Sequence, residues 1–345
     1  MMRTKKKATG ALSEPRFLQP GSKADPLVVV RSDFWHYNSL GLFDGQNACV
    51  IDPGIRREDV ELLAARLRWQ GKVQSPRKIE QVILTHSHHD HLRGWKHFPK
   101  ADIVQPAVSA YKALGARQRI LASKSAIDQH LGERHSGFGY PPAHLTFEGV
   151  CDLQIGSREL QLRFLPGHSN CTSVVWIPSL RTLCTADYLV SPGLPYCRWE
   201  ADAFDAALDA LTKWVEEDRI ERIWPSHNAP ILGQTEILKA IDLDRRIMQV
   251  LRTRAKQALD KQLDDKAAIA WMVHELDSIR NWAAGRSGQQ DLDNAQRVLD
   301  AVRKGLGAGK GPQSDQHGNA PTQHDRADAQ ATGHGTTRST TNGHG

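Results

Sequence analysis

The chain has 345 residues, of which 39% are hydrophobic and 24% are charged. This is the length of about two average domains, or of one α/β domain of roughly 200–250 residues with added segments. No apolar run reaches the roughly 18 residues of a membrane helix, and the basic start, Met1 to Phe17, has no apolar signal core. The five cysteines form no CxxC pair and most lie in apolar stretches, so we expect free thiols and a cytoplasmic location.

The net charge of +6 is unevenly distributed along the chain. Residues 1–24 carry six basic side chains against Glu14 alone, and residues 308–345 carry three of each sign, so residues 25–307 are about +1. A protein that follows nucleic-acid phosphates needs a basic face on its folded part. The charge distribution therefore weighs against a nucleic-acid partner and predicts a solvated, disordered basic arm over residues 1–24.

Short apolar runs alternate with helical patterns between about residues 25 and 235. Short buried strands broken by helices indicate an α/β fold whose sheets are covered by helices. In chain order we predict strands Leu27–Arg31 and Ala48–Ile51, helix Arg57–Trp69, strands Gln81–Thr85 and Asp102–Gln105, helix Val108–Leu131, strands Glu159–Leu165, Ser173–Ile177 and Arg181–Ala186, helix Ala203–Val215 and strand Ile220–Trp224.

The pattern after Pro230 is helical, which predicts helices Gln234–Leu259, Lys266–Ile279 and Gln290–Val302. No Leu, Ile, Val, Phe, Tyr or Trp follows Leu306, so the last segment cannot offset its ordering entropy and is predicted to be disordered. We therefore divide the chain into the basic arm, a catalytic domain, a helical extension that could mediate a homodimer, and a disordered tail: 1–24, 25–235, 236–305 and 306–345.

A dense cluster of potential metal ligands follows the predicted strand Gln81–Thr85. It consists of His86, His88, Asp90 and His91. Because histidine accounts for only 16 of 345 residues, such a spacing rarely arises by chance. Imidazole and carboxylate are ligands that zinc, iron and manganese accept, so the segment predicts a metal site.

Three further residues of the same kind follow predicted strands. His168 comes after Leu165-Pro166-Gly167, Asp187 after the run that ends at Ala186, and His227 after the run that ends at Trp224. Active sites of α/β proteins gather at the carboxyl ends of strands. We therefore expect these three side chains to complete the site.

The order of these motifs resembles the metallo-β-lactamase superfamily: HxHxDH, a PGH[ST] histidine, a bridging aspartate and a late histidine, preceded by an IDxG element at Ile51 to Gly54. The resemblance covers about residues 27–232 and implies an α/β fold, a four-layer αβ/βα sandwich with two metals at one edge of its sheets. Carried over by position, it implies His86, His88 and His168 on the first metal, Asp90, His91 and His227 on the second, and Asp187 between them.

The resemblance also implies a reaction in which two divalent metals share a hydroxide that attacks a carbonyl or phosphorus centre. Zinc is the favoured metal, with iron or manganese as alternatives. Asp90 would bind the second metal and carry the proton, which makes it the candidate catalytic residue. We expect Asp52 to anchor the loop beneath the site. For Arg93 we expect a surface salt bridge, with contact to an anionic group of the substrate as the alternative.

Aromatic and apolar segments predict a covered pocket for a small hydrophobic or aromatic substrate. They are Phe34–Tyr37 and Tyr188–Tyr196, and the insertion 106–150 and the C-terminal helices could add walls. We therefore predict hydrolysis of a carboxylic ester, thioester or lactone. Two alternatives stay open: a phosphodiesterase or nuclease on the same metals, and an iron-dependent oxygenase.

Overall fold

The computed structural model describes residues 16–71, 73–132, 139–190, 195–279 and 288–308. Residues 1–15 of the predicted arm and residues 309–345 of the predicted tail lie outside this part of the chain. Residues 191–194 of the aromatic segment Tyr188–Tyr196 also lie outside it.

The first sheet has seven strands that follow one another in sequence order. They are β1 (Arg16–Pro20), β2 (Leu27–Arg31), β3 (Asn38–Asp44), β4 (Asn47–Ile51), β5 (Lys78–Ile83), β6 (Asp102–Pro106) and β7 (Leu145–Phe147). The first four pair antiparallel, and β4 to β7 pair parallel. Strand β1 lies inside the segment predicted as a disordered arm, so the ordered chain begins earlier than residue 25.

The second sheet has six strands in the order β13, β12, β11, β10, β9, β8. Their bounds are β8 (Val150–Ile155), β9 (Arg158–Phe164), β10 (Ser173–Ile177), β11 (Thr182–Ala186), β12 (Arg222–Pro225) and β13 (Ile231–Leu232). All neighbours pair antiparallel except β11 and β12, which are parallel. Strands β11 and β12 therefore end at the same edge.

The helices are α1 (Arg57–Trp69), α2 (His89–Leu92), α3 (Ala107–Ala110), α4 (Leu114–Leu131), α5 (Ala201–Glu217), α6 (Gln234–Asp260), α7 (Asp265–Ile279) and α8 (Gly288–Ala308). The single helix predicted over Val108–Leu131 is divided between α3 and α4 by residues 111–113. In the described part of the chain, no helix is both long and apolar enough to cross a membrane.

Three buried apolar clusters define four layers. One lies between the sheets, where Leu40 and Ile83 of the first sheet pack with Leu162 and Val175 of the second. The second joins the outer face of the first sheet to the apolar side of α1. The third joins the outer face of the second sheet to α5, α6, α7 and α8. This confirms the predicted αβ/βα sandwich with C-terminal helices.

The C-terminal helices belong to the same compact unit as the sheets, which extends to Lys304. Helix α6 is held against α5 by ion pairs as well as apolar contacts: Arg252 lies 2.5 Å from Asp205, and Arg245 lies 2.8 Å from Asp209. The division of the chain at residue 236 stays a prediction. The predicted free thiols are confirmed, since all five cysteines are unpaired and only Cys151 is not fully buried.

Candidate metal centre

The seven predicted ligands converge where strands of both sheets end. His86 and His88 follow β5, Asp90 and His91 lie on α2, His168 follows β9, Asp187 follows β11 and His227 follows β12. Helix α2 begins directly after the loop from β5, so one short segment supplies four side chains. The parallel pairing of β11 with β12 brings Asp187 and His227 to the same edge.

Four of these side chains form a first group: His86, His88, His168 and Asp187. The Nδ1 atom of His88 lies 2.9 Å from His86 Nε2 and 3.0 Å from His168 Nε2. Asp187 Oδ2 lies 3.1 Å from His168 Nε2 and 3.7 Å from His86 Nε2. The candidate ligand atoms all lie within 4.8 Å of one another, which is compatible with a single metal ion.

A second group consists of Asp90, His91, Asp187 and His227. Asp90 Oδ2 lies 3.6 Å from His91 Nε2 and 3.4 Å from His227 Nε2. Asp187 Oδ1 lies 3.2 Å from His91 Nε2 and 3.7 Å from His227 Nε2. Asp187 thus turns Oδ2 to the first group and Oδ1 to the second, so one carboxylate is shared between two adjacent groups.

The protein-family model of the metallo-beta-lactamase superfamily matches this sequence over residues 34–234, which contain all seven candidate ligands. The chain belongs to this superfamily. Its members are mostly metal-dependent hydrolases. No curated protein matches the chain in sequence.

Several solved structures of superfamily proteins share the fold. A beta-lactamase domain protein from Burkholderia ambifaria has a TM-score of 0.58 at 16% identity, over 84% of this chain and 90% of that one. A metallo-beta-lactamase family protein from Thermus thermophilus has a TM-score of 0.56 at 16% identity, over 81% of this chain and 94% of that one. The sec-alkylsulfatase Pisa1 from Pseudomonas sp. has a TM-score of 0.55 at 19% identity over 82% of this chain, which spans 49% of that enzyme.

The residues of the site fit the metals that the superfamily implies. His91 Nε2 and Asp187 Oδ1 are buried 3.2 Å apart, and neither atom meets the geometry of a hydrogen bond to any described residue. Buried polar atoms without partners are rare, and an absent ion is one explanation for them. Five imidazoles and two carboxylates also match the preference of zinc and related metals for nitrogen and oxygen ligands. The His and Asp side chains are therefore positioned for metal binding.

Side-chain and backbone oxygens outside the two metal groups contact the histidine ring nitrogens that face away from the metal positions. Asp52 Oδ2 lies 2.8 Å from His91 Nδ1, and Asp52 also accepts hydrogen bonds from the backbone N–H and the hydroxyl of Thr85. Asp52 thus anchors the loop and belongs to neither metal group. Such contacts set the tautomer and direction of a ligand ring.

Two backbone carbonyls contact two further rings, those of His168 and His227. The carbonyl of Tyr196 lies 2.6 Å from His168 Nδ1, and that of Trp35 lies 3.0 Å from His227 Nδ1. Sequence reasoning chose both segments as pocket walls and missed this role. A backbone carbonyl belongs to every residue, so no residue type signals it.

Burial and mutual charge set the protonation of the metal-free site. Burial and the neighbouring imidazoles hold the pKa values of His86 and His88 well below the usual range, so both rings stay neutral. Burial alone would raise the pKa of Asp187, but His91 and His168 lower it well below its usual range. The neutral rings of His86 and His88 and the ionised carboxylate of Asp187 are the forms that bind metals. Burial lowers the pKa of His91, but the surrounding carboxylates raise it well above its usual range, so this ring would release a proton when a metal binds.

Arg93 forms the expected salt bridge, but the prediction that it lies at the surface is wrong. Arg93 is fully buried; it donates to the carbonyl of Ile55 and lies 2.5 Å from Asp128 Oδ1. It joins α2 to α4 through Asp128 instead of facing a substrate.

His89, which we did not assign to the metals, belongs to neither group, and its ring centroid lies 5.9 Å from that of Trp35.

Aromatic rings border the metal groups. Trp35 stacks on Phe34 with a centroid distance of 4.6 Å and remains 45% exposed. On another side, the Tyr196 ring lies 5.5 Å from that of His168, and Arg198 lies over the Tyr196 ring at 5.2 Å. The ring of Tyr196 and the Arg198 cation thus lie beside the first metal group, and the exposed ring of Trp35 lies beside His89.

Proposed function

We propose that this protein is a dinuclear metal-dependent hydrolase that cleaves an ester-like bond in a small hydrophobic or aromatic substrate. The ester-like bond is that of a carboxylic ester, a thioester or a lactone. The observation that carries the proposal is the pair of ligand groups that share Asp187, bordered by the exposed face of Trp35 and the ring of Tyr196.

Each ligand has a distinct task in this proposal. His86, His88 and His168 would hold the first metal, Asp90, His91 and His227 would hold the second, and Asp187 would supply one oxygen to each group. Two bound divalent metals polarise the bond under attack and lower the pKa of water to near neutrality. Zinc suits this donor set, and the same ligands accept iron or manganese.

Asp90 has the position of a proton carrier. Burial alone would raise its pKa, but His91 and the hydrogen bond from His227 hold it well below the usual range. Its carboxylate is therefore ionised at neutral pH and can accept a proton from the attacking water and pass it to the leaving group. Its Oδ2 atom lies 3.4 Å from His227 Nε2 in the second group.

The aromatic border supports an apolar substrate. Trp35 can cover an acyl or aryl group beside His227, because its own carbonyl contacts that histidine. Removing apolar surface from water contributes roughly 25 cal/mol per Å². Pisa1 is named as an alkylsulfatase, and a sulfate ester is also an ester-like bond, so an alkyl sulfate belongs among the test substrates.

The experiment is metal analysis followed by a substrate panel. Protein stripped with a chelator is reconstituted separately with zinc, manganese and iron, and metal per chain is measured by elemental analysis. We expect two metals per chain. One metal at most, in protein that is folded by circular dichroism, contradicts the dinuclear site.

Each reconstituted form is then assayed on acyl thioesters, lactones, aryl esters, an alkyl sulfate and a bis-aryl phosphate. We expect the highest kcat/KM on an ester, thioester or lactone with an apolar acyl or aryl group. Preference for the phosphate diester would favour a phosphodiesterase instead. Consumption of oxygen by the iron form would favour an oxygenase.

A further inference from the structure

A short segment between β11 and α5 connects the candidate metal centre with the last helix. We call residues Pro195 to Arg198 the strap. Along it, successive backbone groups face opposite sides. The carbonyl of Pro195 and the N–H of Cys197 bond to Asn294 of α8, whereas the carbonyl of Tyr196 and the N–H of Arg198 bond to His168. This alternation is that of an extended strand.

Asn294 holds one side of the strap through both ends of its amide. Its Nδ2 donates to the carbonyl of Pro195 at 2.5 Å, and its Oδ1 accepts from the N–H of Cys197 at 2.8 Å. The side chain is fully buried, and no other side-chain type offers a donor and an acceptor in the same compact geometry. The amide thus satisfies two backbone groups, as a neighbouring strand would.

The opposite side of the strap holds His168. The Tyr196 carbonyl lies 2.6 Å from His168 Nδ1, and the Arg198 N–H donates to the His168 carbonyl at 3.0 Å. The contact at Nδ1 places the proton on that nitrogen and leaves Nε2 free to face His88 and Asp187. The strap therefore fixes both the backbone and the ring of this ligand.

After Asn294 the buried residues of α8 form an apolar face, whereas Asp291, one turn earlier, is a second buried polar residue. Ala295, Val298, Leu299 and Val302 are all apolar and pack in the cluster under the second sheet. An apolar residue in place of Asn294 would pack in the same way, but it would leave the two backbone groups of the strap buried without partners. Asn294 therefore serves the strap in addition to the core.

We propose that Asn294 is a positioning residue for His168 and that α8 completes the first metal group through the strap. The inference rests on the proposed role of His168 as a metal ligand. Helix α8 lies far along the chain from the ligand motifs, yet it sets the tautomer and direction of one of the rings. The C-terminal helices are therefore part of the metal centre and not an accessory to it.

The test compares Asn294→Asp and Asn294→Leu with Val298→Ala, a matched control on the same helix. Val298 is also fully buried and belongs to the same apolar cluster as Cys197, but its side chain offers the strap no hydrogen bond. The aspartate variant is nearly isosteric with asparagine but replaces the Nδ2 donor with a second oxygen, which carries a charge when the carboxyl group is ionised. Folding is checked by circular dichroism, and stability by thermal melting of the metal-free proteins.

Zinc affinity of the full chain is measured by competition with a chromophoric chelator, and kcat and KM are measured on the best substrate of the panel. Loss of a group that orients a metal ligand typically lowers metal affinity about 10–100-fold. We expect a loss of this size at one of two zinc ions in both Asn294 variants, with a fall in kcat larger than any rise in KM. Val298→Ala should melt earlier and bind both zinc ions as the wild type does.

The outcomes separate this inference from the proposed function. Wild-type protein that binds no zinc contradicts the proposed function and removes the basis of the inference. Wild-type protein that binds two zinc ions, with unchanged zinc affinity in both Asn294 variants, contradicts the inference alone. An equal loss of zinc affinity in Val298→Ala also overturns it, because destabilisation of α8 would then account for the effect.

Discussion

Asp52 occupies an uncommon backbone conformation directly after β4, with a φ of 47°. Left-handed φ values cost a non-glycine residue roughly 1 kcal/mol, although aspartate tolerates them better than most residues. In return, one buried carboxylate bonds to the end of β5 at Thr85 and to the ring of His91. The strained residue therefore fixes the loop that carries four ligands, and its position at the site is where such strain is usually found.

Replacement of Asp90 tests the proton carrier. Asp90→Asn keeps nearly the same shape but weakens the second metal group and cannot accept a proton. We expect kcat to fall about 10²–10⁴-fold, with a melting temperature of the metal-free protein close to that of the wild type. The matched control is Asp102→Asn, since Asp102 begins β6 at the opposite edge of the sheet. Near wild-type turnover in Asp90→Asn would contradict its assignment.

Asp244 on α6 is a buried carboxyl group outside the metal centre, and its Oδ2 has no hydrogen-bond partner among the described residues. Burial raises its pKa to about 8. The folded chain therefore binds this proton more tightly than the unfolded chain, in which the pKa is about 4. Its contribution to stability is thus greatest below pH 4 and is lost as pH rises from about 4 to about 8.

Asp244→Asn should remove this loss of stability at high pH, because an amide does not ionise. We expect the free energy of unfolding to increase by about 1–3 kcal/mol at pH 8.5, with a smaller increase at pH 5, as measured by urea titration. Asp242→Asn, on the same helix but half exposed and paired with Arg246, is the control and should show no such pH dependence. An equal effect of Asp244→Asn at both pH values would contradict the buried ionisation.

At the scale of elements, α2 depends on a buried charge cluster that connects it to α4. Arg93 contacts Asp128 and the carbonyl of Lys124, while the Lys124 ammonium also contacts Asp128. Removing one partner of a buried ion pair costs about 3–5 kcal/mol, since the other charge stays buried. If Arg93 is replaced, Lys124 remains beside Asp128, so the decrease in the free energy of unfolding should lie at the lower end of this range.

Arg93→Met should therefore lower the free energy of unfolding by about 3 kcal/mol in a urea titration. The control is Arg246→Met, whose exposed ion pair with Asp242 should contribute less than about 1 kcal/mol. Equal destabilisation by the two substitutions would mean that the cluster does not stabilise the contact between α2 and α4.

The sequence predicted those strands and helices that show either a continuous apolar run or a clear helical periodicity. Continuous apolar runs gave β2, β10 and β11, and helical periodicity gave α1 and α5 with bounds close to those observed. Strand β8 was missed because it alternates buried and exposed residues at a sheet edge and contains Asp152. Strand β1 was missed because its few residues lie in a basic segment, and its pairing with β2 depends on tertiary structure.

The same distinction applies to the site. The seven candidate ligands were predictable because histidine and aspartate are chemically distinctive and each follows a strand. The break between α3 and α4 contains neither glycine nor proline, so no residue marked it. Asn294 was also missed, since its partners are backbone groups nearly a hundred residues away, at Pro195 and Cys197. A side chain that contacts distant backbone groups produces no recognisable spacing of residue types in the sequence.

At the scale of the whole molecule, charge and the aromatic border favour the same class of substrate. Residues 25–307 carry a net charge of about +1, and the basic excess lies in residues 1–24. Nucleic-acid affinity depends on clustered Lys and Arg that release counterions. Beside the metal groups the described structure places Trp35, Phe34 and Tyr196, with Arg198 as the nearby cation.

We therefore expect hydrolysis of a hydrophobic ester, thioester or lactone to change less than about threefold between 50 and 200 mM salt, because few ionic contacts form. Structured RNA and DNA should be cleaved at least about 100-fold more slowly under the same conditions. A chain that lacks residues 1–15 is the control for the basic arm and should hydrolyse the ester at the wild-type rate. Faster cleavage of RNA that added salt abolishes, and that survives removal of residues 1–15, would identify the protein as a phosphodiesterase and contradict the proposed substrate class.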